Sequence, residues 1–313
     1  MTPRPWPPTT HSVTTTSGSD AVSLFLDYTL NGVANGMVYA TLALALVLIY
    51  RATKIINFAQ GAAGMLTTFI AFSLLSRGVG YWWAFVLVLV IGFAIGAVTE
   101  RVLIRPLHGR SELNPVIVTI GLLVVFEGLA GAIYGNASRG FPAAFSQAGL
   151  RVGRTTIAFS HFDVFILIAV LALMAGTLVL FRYTALGLRM RATAFSREIA
   201  RLLGVRVGFL LTLGWGLAGI AGSLAGLLVA PTSSFGPYYM DLVLVYGFTA
   251  AVIGGLESPV GALVGGLITG LCISYVGGYL GSGLEPLGAL ALLMVALMAR
   301  PEGIFARPPA RRV

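Results

Sequence analysis

Charge is scarce in this sequence. Only 10% of its 313 residues are Asp, Glu, Lys or Arg, against 57% hydrophobic residues and a mean hydropathy of +0.92. A soluble globular domain carries about 25% charged residues, so that class is excluded. Lysine is almost missing: Lys54, in RATKII, is the only one. A phosphate-binding loop needs a lysine directly after its glycine-rich turn, and none stands there, so the chain does not bind ATP in that way. No GxSxG elbow, HExxH pair or recognisable Ser/Lys dyad occurs, so no catalytic residue is assigned. The lone cysteine, Cys272, excludes a disulfide framework, and its place in an apolar run predicts a buried packing role. His11, His108 and His161 stand far apart, with no Cys or acidic partner at ligand spacing, so neither a metal nor another cofactor is expected.

What is present is a series of long uncharged runs. Residues 55–76, 82–99, 164–181, 207–240 and 258–284 contain no charged side chain. About 20 predominantly apolar residues cross the hydrocarbon layer as a helix, and each run reaches or approaches that length. Several are rich in Val, Ile and Leu, but an open sheet edge cannot be satisfied in lipid. The expected fold is therefore all-α, a polytopic helical membrane protein of eight or nine transmembrane or half-membrane segments.

The net charge of +9 does not point to nucleic acid, because 19 Arg and one Lys fall mainly between the apolar runs. Placing residues 101–112 in the cytoplasm puts 15 of these cations on that side and leaves Arg4, Arg77, Arg139, Arg151 and Arg154 on the other. Fifteen against five is the positive-inside pattern and predicts an extracytoplasmic N-terminus and a cytoplasmic C-terminus in the bacterial cytoplasmic membrane.

Residues 1–23, rich in Pro, Thr and Ser at their start, lack the apolar stretch of a signal peptide and read as a disordered extracytoplasmic tail. Residues 24–306 form the membrane domain, with a cytoplasmic loop at about 183–206, and 307–313 form a basic cytoplasmic tail. Within the domain, spans are expected at 24–50, 55–76, 82–103, 113–135, 164–181 and 207–230, with Trp82 and Trp83 as interfacial anchors. The stretch LRVGRTTIAF is mixed in polarity and predicts a small extracytoplasmic hairpin. Segments 242–256, 258–281 and 286–299 fit three crossings, and the two outer ones are short enough for one to be a half-helix. Glycines recur at small-xxx-small spacing at Gly92/Gly96, Ala218/Gly222/Gly226, Gly261/Gly265 and Gly266/Gly270, which predicts close helix contacts.

Two features resist a purely apolar reading. IINFAQGAAG, residues 55–64, places Asn57 and Gln60 beside Gly61 and Gly64 where a span should continue. A continuous helix over 55–76 would put Asn57, Gly61, Gly64 and Thr68 on one face. An unpaired amide in hydrocarbon costs about 2–7 kcal/mol, so that face either meets a neighbouring helix or lines a solute pathway. Glu127 is the one carboxylate well inside a run. It either bonds a neighbouring helix or belongs to the pathway. The second feature is the Arg-rich segment TALGLRMRATAFSREIARLLGV, residues 184–205. A short helix over 192–203 would align Phe195, Ile199, Leu202 and Leu203 in one stripe, away from Arg197 and Arg201, and stop at Gly204 in a left-handed cap. Such an element either rests on anionic lipid or docks another protein.

The ordered series NGVANGMVYATLALALVLIY, IINFAQG, GLRMRATAFSREIARLLGV, AAVIGGLESPVGALVGGLITG and ARPEGIF resembles the permeases of bacterial branched-chain amino-acid ABC importers, and among them the smaller permease of the pair. The resemblance covers about residues 24–306. Candidates for the translocation pathway are Asn31, Asn57, Gln60, Gly61, Gly64 and Glu127, among which Asn57, Gln60 and Gly61 fall in the family's hallmark, INFA followed by His or Gln and then Gly. The resemblance also implies an ATPase-coupling loop that includes Gly187, Arg191, Ala192, Arg197, Ile199, Ala200, Leu203 and Gly204. The family's coupling pattern, R-A followed by A-x-x-x-G, is met by Arg191, Ala192, Ala200 and Gly204; the glutamate that often precedes the alanines in the wider class is replaced by Arg191. The implied partners are cytoplasmic ATPase subunits, which would hydrolyse ATP in place of this chain, a second permease, related or identical, and an extracytoplasmic solute-binding protein, all around a subunit set in membrane lipid. Relatives serving urea or short amides, and a carrier driven by an ion gradient, are the competing readings.

Overall fold

The computed structural model describes residues 18–305 apart from 108, 110, 112, 153 and 154. The expectations for residues 1–17 and for the basic tail fall outside that range. The described residues form eleven α-helices and one hairpin, with short 3-10 and π turns between some of them. Helix α1 spans Gly18–Thr53, so the end of the stretch assigned to a disordered tail is already helical. α2 spans Gln60–Ser76, α3 Tyr81–Val98 and α4 Leu113–Tyr134. Strands β1 (Gly149–Val152) and β2 (Thr155–Ser160) follow, then α5 (His161–Tyr183), α6 (Ala185–Phe195), α7 (Arg197–Leu202) and α8 (Val207–Val229). The chain closes with α9 (Asp241–Gly254), α10 (Pro259–Tyr275) and α11 (Glu285–Ala299).

Seven of the helical stretches are long and apolar enough to cross a membrane; α2 and α9 are apolar but shorter. The expected hairpin forms where the mixed-polarity stretch lies, with β1 and β2 antiparallel. α5 begins directly after it in a capping box, where the Ser160 Oγ accepts from the Asp163 N–H and Asp163 accepts from the Ser160 N–H at 2.7 Å. That reciprocal pairing satisfies two donors that every helix start leaves open.

Helices α1 and α8 run through the centre and are buried along most of their length, whereas α4 and α11 turn most of their surface outward. The core works by close backbone approach. A side chain on Gly219 of α8 would strike the Gly92 carbonyl of α3, and one on Gly270 of α10 would strike α1 at Gly32 and Gly36. Small residues at four-residue spacing allow these contacts, which carry helix association where hydrophobicity cannot. α10 meets α1 through this glycine face, and Cys272 lies exposed. The packing role expected for the thiol is therefore not realised in the chain by itself.

Candidate functional site

The bundle bears two unusual places, an interrupted pair of helices within its depth and an amphipathic pair of short helices at one end.

The first begins where α1 stops. Lys54 adopts a left-handed conformation, with φ of 62°, and the chain runs without helix to a turn before Gln60. Asn57 therefore precedes α2, and the continuous helix face expected from residue 55 onward does not form. Its amide instead organises the helix start. The Asn57 Oδ1 accepts from the Ala59 N–H at 3.1 Å, and its Nδ2 donates to the Gln60 Oε1 at 3.0 Å. The Gln60 Nε2 then donates to the Ala218 carbonyl of α8 at 2.9 Å. Both side chains are buried, at 4% and 2% exposure. Gly64 packs on the Gly222 carbonyl, and the Thr68 hydroxyl donates back to the Gly64 carbonyl at 2.8 Å. A void of about 10 Å³ remains beside Asn57, Gln60, Thr67 and Ser223, room for one water at most.

The other short helix starts at the same level. Gly61 touches Met240, the residue before α9, while Lys54 pairs with Glu257, just beyond the end of α9. The 14 residues of α9 rise about 21 Å. The starts of α2 and α9 thus meet well inside the bundle, and neither N-cap residue supplies a side-chain cap, so each turns a positive dipole end to that level. Asp241 opens α9 and interacts with Glu127 of α4. Asn31 stands apart. It is exposed on α1, roughly 33 Å along the axis from Thr53 at 1.5 Å per residue.

At the end of the bundle reached by α1 and α5, the Arg-rich segment forms two helices rather than one. Thr184 caps α6 by accepting from the Gly187 N–H at 3.1 Å, and Ser196 breaks the run by capping α7 at the Ile199 N–H. Gly187 packs so tightly against Leu180 and Phe181 that no side chain fits, which lets α6 fold back on the end of α5. Gly204 has φ of 76°. Its N–H bonds the Arg201 carbonyl, and the Val205 N–H bonds the Ala200 carbonyl, each at 3.0 Å. This is the double-bonded left-handed cap expected at that glycine.

The segment has two sides. Ala200 is buried with Val207 and Leu211 of α8. Arg197 donates to the Thr53 carbonyl at 3.0 Å, placing a cation on the negative end of α1. Burial first, and Arg201 second, lower the pKa of Arg197. The opposite side holds Phe195, Leu202 and Leu203 at 86%, 87% and 74% exposure, with Ile199 at 53%. Arg191 and Ala192 are exposed beside them.

A third feature escaped the sequence reading. Beyond Val98, α3 widens into a π-helical turn at Thr99–Ile104. Its i to i+5 register brings Glu100 and Arg105 together. Glu100, fully buried, receives the Arg105 Nη2 at 2.8 Å and Nε at 3.2 Å. Arg105 also donates to the Gly208 carbonyl and to the Thr212 hydroxyl, which in turn donates to Glu100 at 2.7 Å. α3 is thereby fixed to the first turns of α8, next to α7.

This arrangement, a multi-pass bundle with interrupted helices inside and an amphipathic element at one end, is that of a membrane transport permease. The sequence profile of the family described as branched-chain amino acid transport system / permease component matches residues 28–299, and the chain belongs to that family. It is similar to the high-affinity branched-chain amino acid transport system permease protein LivH of Escherichia coli, at 29% identity over 94% of this chain and 100% of that protein. It is similar also to BraD of Pseudomonas aeruginosa, a protein of the same description, at 27% identity over 92% of this chain and 98% of BraD. A probable branched-chain amino acid transport permease protein LivH of Methanocaldococcus jannaschii is 28% identical over 84% of this chain and 87% of its own length. No solved structure matches the chain significantly.

Proposed function

We propose that this chain is one of two permease subunits of an ATP-driven importer that carries branched-chain amino acids across the cytoplasmic membrane. Its N-terminus lies outside and its C-terminus inside, as the arginine distribution requires. A separate ATPase docks on α6 and α7, and an extracytoplasmic binding protein delivers the solute. The observation that carries this reading is the two-sided coupling segment. Arg197 and Ala200 anchor it to α1 and α8, while Phe195, Leu202 and Leu203 are left in water. Exposed apolar side chains on a capped, anchored helix need a partner groove. ATP-driven movement of that groove reaches α5 and α8, which flank the segment, and α3 through Arg105.

The pathway is assigned to the surface where α2 and α9 begin, with Glu127 and Asp241 beside it. Interrupted helix starts within the membrane are the usual setting of a transport site. Gln60 and Asn57 hold the start of α2 in place, behind that surface. Purification of the native complex, with identification of its subunits, tests the proposal: an ATPase and a solute-binding protein should accompany the permease, and uptake should require ATP. The Glu127–Asp241 pair favours one competing reading, a carrier driven by a proton gradient. That carrier would take up solute as a single purified chain without nucleotide, and Glu127→Gln would stop it.

A further inference from the structure

A second site follows the seam between α3 and α8. Arg101, in the π turn beyond α3, and Arg206, which directly precedes α8, stand at one end of a cavity of about 570 Å³. Both are exposed, and among the described residues neither side chain has an ion-pair or hydrogen-bond partner. The third cation of the lining, Arg105, is held by Glu100, and no acidic residue lines the cavity. From the two arginines the lining runs along both helices. It reaches Phe93, about 12 Å back along α3, and Leu213, about 10 Å onward along α8, at about 1.5 Å per residue. The Phe93 ring lies on Gly216 of α8, where no side chain would fit, and Phe209 is 58% exposed on the α8 wall. Below them α3 and α8 touch backbone to backbone at Gly92 and Gly219, so the groove has a closed floor.

Apolar surface along two membrane spans is ordinary. Two arginines without partners at its end are not, because each is left to find an anion outside the chain. A soluble anion would use the arginines and leave the groove idle. An anionic phospholipid uses both, with its phosphate among the cations and its chain in hydrocarbon. The uncapped start of α8 adds a positive dipole end at the same level. We propose that Arg101 and Arg206 hold the phosphate of an anionic phospholipid, with one acyl chain lying in the groove between α3 and α8. Arg206 directly follows the cap at Gly204 and Val205 that ends α7. The bound headgroup therefore ties the end of α7 to α3, beside the Glu100–Arg105 pair. Lipid binding itself does not depend on which subunit α7 meets.

Native mass spectrometry of the full-length chain, titrated with dioleoyl phosphatidylglycerol or with phosphatidylcholine bearing the same chains, tests this. The first phosphatidylglycerol bound should be retained roughly thirtyfold more tightly than the first phosphatidylcholine. The double variant Arg101→Gln, Arg206→Gln should bring the two lipids within about threefold of each other, while Arg77→Gln, at the far end of α2, leaves the preference unchanged. Equal retention by the unaltered chain, or an undiminished preference in the double variant, would overturn the proposal. Displacement of the lipid by millimolar inorganic phosphate would also overturn it, because the site would then belong to a soluble anion. So would a double variant that kept its lipid preference but lost a copurifying subunit, which would assign the arginines to a protein interface. Should the double variant not fold, the unaltered chain in about 1 M ammonium acetate should lose most of its preference; a preference that persisted there would contradict the proposal.

Discussion

The start of α2 and the surface of α7 are opposites. One buries two amides among apolar helices, and the other leaves large apolar side chains in water. Only the second is unfinished. Asn57 and Gln60 complete each other and end on the Ala218 carbonyl, so their burial is already compensated within the chain. Phe195, Leu202 and Leu203 are left exposed among the described residues, and on the proposed reading that exposure is what an ATPase subunit would cover.

Four substitutions break or sharpen this contrast. The largest effect on stability is expected from Arg105→Ala, which strands the buried Glu100 carboxylate; about 3 kcal/mol should be lost, read as a lower melting temperature of the purified permease in detergent. Gln60→Leu comes next. It leaves the Asn57 amide and the Ala218 carbonyl unpaired at a cost of about 1–3 kcal/mol, seen as poor assembly and a lowered melting temperature. An intact, stable complex with impaired uptake would instead place Gln60 on the solute's route. Arg197→Ala frees α7 from the end of α1 and should weaken coupling, cutting ATP-dependent uptake several-fold while the ATPase still copurifies. The smallest effect belongs to Ser196→Ala, which removes the α7 cap for about 1 kcal/mol. A modest loss of helicity in that segment, measured by hydrogen exchange at Ile199, is the expected sign.

Much of this was legible in the sequence, for reasons that can be named. Uncharged runs of the right length marked several of the spans, and the pairs Gly92/Gly96, Gly261/Gly265 and Gly266/Gly270 stand where the structure brings backbones together. Gly204 stops its helix as its chemistry demands. The break at Ser196 was missed although its signal was there, a serine followed by Arg-Glu where a helix can restart. The Glu100–Arg105 pair was hidden because five-residue spacing shares no face in an α-helix; only the wider π turn aligns it. The approach of Glu127 to Asp241 and that of Lys54 to Glu257 are products of tertiary packing between distant segments, which no local pattern records.

The central claim is that α7 is completed by a cytoplasmic ATPase. The direct measurement is copurification of that subunit with the permease carrying Leu202→Asp and Leu203→Asp. Both side chains are exposed, so the permease should still insert and keep its melting temperature, yet the ATPase should be lost and ATP-dependent uptake abolished. An ATPase that copurified undiminished with this variant would contradict the assignment.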